Sequence, residues 1–497
     1  MKDRALFGDL HNHCGISYGH GPLAAALANA REQLDFVSVT GHAHWPDMPD
    51  PDERIAYIID FHNKGFAKLK AGWGEMMETI AAANEEGRFV IFPGFEIHSC
   101  ADGDRTIIYR NFKGEIIYAD SIADLYKRLP EDALSFPHHI GYEIGARGIN
   151  WATYDEAVEP AVEIISMHGC SEGNENTRPF LHSMGPSDWE NTVQYGLAQG
   201  HIFGFLGNTD HHSAFPGSYG HGATGLYAPE LTRDAVWEAI RARRTWAITG
   251  DRIVPEFSCN GAPFGSVLPA GEGVRHFACA VTAGGAIDCV DIIKNGRLFL
   301  RRSETDFPAS EAGDTVETLI NLSLGWGEKH KSAAWEVSFE LTEGEITRVE
   351  PRFRGMEVVS PVEQKSGPEA GYHTCHWEQP GSRTVNLAVR SYGNPTNSTP
   401  THQNCCLHVT MPKNASIRAV LNGKTEVIPL RRLLEGTYTG HLGAIDSPAY
   451  RFDRAPLPGE FRWAFEFSDP DTAPAYYYMR VRQKNDQWAW CTPIWFR

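Results

Sequence analysis

The chain has no Cys-x-x-Cys pair among its ten cysteines, so neither a zinc knuckle nor a disulfide framework is signalled and a reduced, cytoplasmic protein is expected. Cys405 and Cys406 are adjacent, which suits two buried thiols better than a bridge. No apolar run approaches the ~20 residues of a membrane helix. No basic–apolar–small segment precedes the first strand, so no membrane partner is expected. Positive charge is also in deficit. The formal charge of −18 argues against a protein that coats nucleic acid. It leaves small phosphorylated substrates open, because bound metal ions supply positive charge locally. Gly-x-Gly-x-x-Gly and Walker loops are missing, and with them the signature of a nucleotide fold. There is no internal repeat and no low-complexity tract.

What is present is a soluble-type composition, 42% apolar and 22% charged, over 497 residues. That length exceeds one ordinary domain. The first half alternates strand and helix. Strands are expected at the opening Phe7–Leu10 and at Asp35–Thr40, Phe89–Phe95, Ala133–Pro137, Ala161–Met167, Ile202–Gly207 and Thr245–Thr249. Helices are expected over Pro22–Leu34, over Glu53–Glu86 with a break at Gly72 and Gly74, and over Thr232–Arg243 with Thr232 as cap. Seven such units in about 250 residues point to a distorted α/β barrel, a (β/α)7 arrangement, more than to an open sheet. From about Arg252 the pattern changes to strict alternation, as in Trp335–Leu341, Val385–Val389 and Tyr476–Val481. Asn295-Gly296 and Asn422-Gly423 are hairpin turn signals. The expectation is a barrel over 1–252 and an antiparallel, sandwich-like all-β domain over 253–497.

The chemistry gathers at the strand ends. His11 and His13 are two apart, so both side chains leave a strand on the same side and suit one metal ion. Later strands end alike: His42 and His44, Glu96 and His98, His138-His139, Glu163 and His168, then Asp210-His211-His212. In a parallel barrel all these ends share one face. Repetition at that rim makes a multinuclear metal site the expectation.

These residues resemble the polymerase-and-histidinol-phosphatase (PHP) superfamily of metal-dependent hydrolases. The carrying motifs are Asp9-x-His11-x-His13, Thr40-x-His42, Gly94-x-Glu96, the strand-four histidine and Asp210-x-His212. The stretch from Tyr227 through Arg252 and the closing one from Tyr477 to Trp495 resemble a large, poorly characterised bacterial branch with a C-terminal β domain. The resemblance implies that His11, His13 and Asp210 hold one ion, that Glu96 bridges, and that His42 and His212 serve a second. His138 or His139 would fill the strand-four role. A first-loop ligand usually follows the His-x-His pair by six positions; that place is Gly19, and His20 sits one further on. Two departures stand out. Gly41 replaces an aspartate, and the loop reading Gly103-Asp104-Arg105 lacks a histidine near Arg105, so that His98 or Asp104 would substitute or a third position would be altered. The expected cofactors are two or three divalent ions, Zn, Mn or Fe, from the imidazole and carboxylate donor set.

His168 and Arg178 are the candidate catalytic residues, on the same rim. His168 has three readings: proton donor to the leaving group, further ligand, or hydrogen-bonding support. Arg241, Arg243 and Arg244 read as a solvated helix face with one ion pair rather than a phosphate grip. Cys14 reads as packing. The expected function is hydrolysis of a phosphate ester by a metal-bound hydroxide. The alternative is metal-dependent hydrolysis or elimination on a non-phosphorylated sugar, amide or lactone. A non-catalytic binding protein is the remote third reading. The expected partner is a small-molecule substrate, without nucleic acid, and homo-oligomers are compatible with the β half.

Overall fold

The computed structural model describes residues 3–271, 273–308, 310–329, 331–356, 374–393 and 400–497. The first half contains β1 (Arg4–Asp9), α1 (Leu23–Gln33), β2 (Phe36–Val37), β3 (Thr40–His44), α2 (Ala56–Ala83), β4 (Val90–Ile91), β5 (Gly94–Ile97), β6 (Arg105–Tyr109), α3 (Ile122–Arg128) and β7 (Ala133–Pro137). It continues with β8 (Ala161–Ser166), β9 (Gly169–Cys170), α4 (Val193–Ala198), β10 (Gly204–Gly207), β11 (Ala223–Ala228), α5 (Arg233–Arg241) and β12 (Thr245–Ile248).

The expected (β/α)7 barrel is overturned. Among the described residues strand far outweighs helix, in six separate sheets, and no barrel ringed by helices is evident. Strands of the first half fall into three sheets: β4-β2-β1-β11-β12, β3-β5-β6-β7 and β10-β8-β9. Two runs that read as single strands are each divided between sheets. Phe36–Val37 pairs with β1 and β4, whereas Thr40–His44 pairs with β5. The second run divides at Pro93, which has no N–H to give a ladder. Arg105–Tyr109 and Ala223–Ala228 are strands that the sequence reading does not expect, and both pair antiparallel. Parallel pairing survives only between β1 and β2, β2 and β4, β3 and β5, and β8 and β10 among the first-half strands described.

α2 is one helix of 28 residues, not two. A Cβ at Gly72 or Gly74 would meet nothing within 4 Å, so both glycines lie on its open side. Each glycine costs about 1 kcal/mol of helix propensity, and burial of Leu69, Met76 and Ile80 on the other side offsets it. α5 begins as expected, with the Thr232 hydroxyl accepting from the Ala235 N–H at 3.2 Å.

In the second half, two five-stranded antiparallel sheets between Thr315 and Phe452 pack face to face. Ile320, Leu407 and Val409 from one sheet meet Trp335, Phe339 and Ile417 from the other. The strand pairs Ile287–Lys294/Arg297–Ser303 and Ser416–Leu421/Lys424–Pro429 turn at Asn-Gly, with Asn295 and Gly296 at φ 49° and 74°. A sheet also crosses the expected division at 252/253. β12 pairs antiparallel with Trp488–Cys491, which pairs in turn with Ala475–Gln483. Buried Glu172 ties the halves further, accepting from Tyr478 Oη at 2.7 Å, Arg480 Nη1 at 2.9 Å and Trp490 Nε1 at 2.8 Å. No helix among the described residues is long and apolar enough to cross a membrane.

Candidate metal centre

β1 ends at Asp9, whose carboxylate fastens the segment that follows. It accepts from the N–H groups of His11 (3.2 Å), Thr209 (3.1 Å) and Gly217 (2.9 Å) and from the Thr209 hydroxyl (2.5 Å). Asp9 thus binds the His11-x-His13 segment to the Asn208–His212 segment. Asp210 is held at φ 52°, a conformation rare outside glycine and common at functional sites. The result is contact between residues about two hundred positions apart: His13 Nε2 lies 3.0 Å from Asp210 Oδ1, as well as 3.2 Å from its neighbour His11 Nε2.

β3 and β5 deliver the next donors. His42 is paired in register with Glu96, and a bulge at Ala43 then turns His44 away, onto the Ala119 carbonyl at 2.9 Å. Gly41, where the resemblance led to an aspartate, has no room for one: a Cβ there would lie 2.7 Å from Leu69 of α2. His42 Nδ1 is 2.8 Å from Glu96 Oε2, His42 Nε2 is 3.2 Å from His212 Nε2, and His13 Nε2 is 3.3 Å from Glu96 Oε2. His138 Nε2 and His98 Nδ1 approach Glu96 Oε1 at 3.1 and 3.0 Å. His139 reaches Asp104 Oδ2 at 3.3 Å, and His168 Nε2 reaches Asp210 Oδ2 at 2.9 Å.

These side chains form five overlapping groups whose ligand atoms lie within 4.8 Å of one another: His13–His42–His212, His11–His13–Glu96, His42–Glu96–His98, Glu96–Asp104–His138–His139 and His139–His168–Asp210. One geometric detail tests whether metal fits. His42 Nδ1 and Glu96 Oε2 are close, yet both are buried and neither makes a properly angled hydrogen bond. Two donors side by side, not aimed at each other, are what a shared third atom requires. Buried groups without that atom are costly. The residues fit divalent metal ions.

Charge states agree with ligation. Burial pushes Glu96 up, but His42, His98 and His138 outweigh it and hold the carboxyl well below its usual range. Asp210 is also held well below: burial opposes, and His11 and His168 prevail. Burial and His13 drive His42 and His212 well down, so both imidazoles are neutral. Burial takes His139 to about 3. His11 goes the other way; burial is overcome by Asp210 and by Glu163, whose Oε2 accepts from His11 Nδ1 at 2.9 Å. A carboxylate behind a ligand histidine fixes the ring and strengthens its far nitrogen.

The structure therefore brings together His11, His13, His42, Glu96, His138, His139, Asp210, His212 and His168. His138 and His139 both reach the cluster. His20 is buried and its N–H bonds the His212 carbonyl at 2.7 Å, but its ring is outside the five groups. Arg178 donates to the carbonyls of Gly220 (3.2 Å) and Asp486 (2.9 Å), which makes it a link between segments rather than part of the cluster. Arg105 turns away to buried Glu159 at 2.5 Å, while Asp104 and His98 take the places facing the site. Arg244 pairs with Asp3 at 2.9 Å. Cys14 is packed, its thiol pushed by burial to about 12. Sequence reading missed Tyr18, which stacks on His42 at 3.7 Å; Tyr142, whose hydroxyl is 2.8 Å from His168 Nδ1; and Arg147. The Gly-rich run after His138-His139 was the available signal for the last two.

No protein-family model matches the chain. It is 29% identical over 275 residues to an uncharacterized protein of Chlamydia pneumoniae, covering 50% of this chain and 43% of that one. An uncharacterized protein of Chlamydia muridarum is 26% identical over 243 residues, 44% of this chain and 39% of the other. The chain thus spans less than half the length of the curated relatives it matches. A solved two-domain protein from Bacteroides vulgatus, containing a predicted PHP-like metal-dependent phosphoesterase, is 12% identical with a TM-score of 0.32, over 86% of this chain and 96% of that one. The buried histidine and carboxylate groups, taken by themselves, could hold metal ions.

Proposed function

We propose that this chain hydrolyses a phosphate ester at a two-ion centre. The observation that carries the reading is the convergence of the five buried donor groups on one another. His11, His13 and Asp210 would hold one ion and His42 with His212 another. Glu96 lies between the two sets and His138 backs it. When bound, divalent ions supply Lewis acidity toward phosphoryl oxygens and toward water.

The chain's own residues set the rest. Glu96, Asp104, Glu163 and Asp210 are four carboxylates, and Arg147 is one fixed cation among them. With buried Asp9 as a fifth carboxylate, two divalent ions bring the site to neutrality, and the ions themselves supply the local positive charge for an anionic substrate. His168 stands at the edge of the cluster between Asp210 and the Tyr142 hydroxyl. With Tyr142 holding Nδ1, the Nε2 proton would pass to the departing oxygen when that oxygen takes the place of Asp210 Oδ2 as its partner.

The test is hydrolysis of aryl phosphate monoesters and diesters by the metal-loaded full chain. Phosphate-ester cleavage is expected, and the panel separates monoester from diester. Bound metal with no cleavage of either would refute the phosphate reading and leave the sugar, amide or lactone chemistry.

A further inference from the structure

We infer that the Arg147 guanidinium is itself a resident cation of the centre, filling the place of an ion beside Asp104 and holding the metal complement at two. This rests on the two-ion reading above.

The placement begins in the backbone. After His138-His139 the chain runs through Gly141–Asn150, turning at Gly145 (φ 91°) and at Arg147 itself (φ 71°). Arginine seldom adopts that conformation, so the surroundings must hold it there. They do. A Cβ on Gly148 would fall 1.5 Å from the Tyr142 carbonyl oxygen, and one on Gly103 would fall 2.8 Å from the Gly148 oxygen. Gly148 thus lets the loop fold tightly on itself and Gly103 lets it press on the Ser99–Asp104 turn, and cross-loop bonds keep it pressed: Gly145 N–H to Cys100 O at 2.9 Å and Asn150 N–H to Asp102 O at 3.2 Å.

The pressed loop delivers the guanidinium to donor atoms that otherwise look like an ion site. Arg147 Nε donates to Asp104 Oδ2 at 2.7 Å, and Nη2 contacts both Asp104 Oδ2 and His98 Nδ1. Nη2 is 3.6 Å from Glu96 Oε1. Trp45 covers the guanidinium at 5.3 Å, and Met184 Sδ accepts from Nη1 at 3.4 Å. Asp104, Glu96 and His98 belong to the groups Glu96–Asp104–His138–His139 and His42–Glu96–His98. A guanidinium does not lose its proton, so at Asp104 Oδ2 it repels a divalent ion brought to the same oxygen in a dry site. Arg147 pairs with Asp104, His98 and Glu96 but not with His11, His13, His42, His212 or Asp210, and these are left to the ions. The altered third position read from Gly103-Asp104-Arg105 is thereby explained: its charge comes from another loop.

The experiment is metal content per chain, by plasma mass spectrometry, after loading the full-length protein with Zn2+ or Mn2+ and removing free ion. Wild type should hold two ions, Arg147→Lys two, and Arg147→Met three; Arg147→Met/Asp104→Asn should return to two. A third ion in wild type, or none gained in folded Arg147→Met, overturns the inference. Anomalous scattering from loaded wild-type crystals asks the same without a variant. Two peaks away from Asp104 Oδ2 are expected, and a peak bonded to it refutes the assignment. Absence of ions from every variant would instead defeat the two-ion reading.

Discussion

Glu163→Gln isolates one carboxylate that supports the centre without belonging to the five donor groups. Its Oε2 takes the His11 Nδ1 proton at 2.9 Å and the Asn208 amide at 3.1 Å, in a place only 1% exposed. Glutamine keeps the shape and can still accept from His11, so the change removes charge more than geometry. A unit charge roughly 6 Å from a divalent ion, across an imidazole, gives a ceiling of about 5 kcal/mol at an effective dielectric of 20. Most of that is returned, because Glu163 also favours the protonated, ion-free form of His11. What survives should be the ordinary value for a carboxylate behind a ligand histidine, about 10–100-fold in affinity or ~1.4–2.7 kcal/mol. The assay is competition with a chelator of known affinity, near neutral pH, with circular dichroism to check the fold. Unchanged affinity would refute the support role. Loss of an entire ion would show that Glu163 is a ligand.

His168→Gln should slow hydrolysis of alkyl phosphates by about 10²–10⁴-fold and spare aryl esters whose leaving groups need no proton; equal losses on both would argue against proton donation. Stability should show an acid limb from Glu350, whose Oε1 accepts from Arg352 Nε at 2.9 Å and from the Arg252 N–H at 3.0 Å. Burial opposes its charge, yet Arg352 and then His408 hold the carboxyl well below its usual range. A depressed acid stabilises above its unfolded value of about 4.3 and loses that contribution as pH falls further. Glu350→Gln should cost about 1.5–3 kcal/mol in neutral denaturant titrations, since Arg352 stays buried but keeps Asp251 at 2.8 Å, and should flatten the loss below about pH 4. An acid limb identical to wild type would exclude Glu350 as its source.

Much of the site was legible because its donors lie in short local patterns. His11-x-His13 reads directly from spacing and Asp210-x-His212 from the resemblance, and the structure places both His138 and His139 in the cluster. Arg147 was not legible. It reaches Asp104 across 43 residues of sequence, through a loop contact in which Gly103 backs closely onto the Gly148 carbonyl. The fold divides similarly. Helix starts such as Thr232 and turns such as Asn295-Gly296 are local and were read. Sheet membership is set by distant partners: nothing in Asp35–Thr40 says that Phe36 pairs with Val90 while Thr40 pairs with Gly94. Treating each apolar run as one strand of one sheet produced the barrel that the structure does not show.

The central claim is that the buried donors form a divalent-metal centre. Calorimetric titration of chelator-treated wild type and Asp210→Ala with Mn2+ or Zn2+ tests it most directly. Asp210 contacts His11 at 3.4 Å, His13 at 3.0 Å and His168 at 2.9 Å. Wild type should therefore bind two ions per chain, and the variant should lose at least one of them while remaining folded. Failure of the wild type to take up either ion would contradict the account.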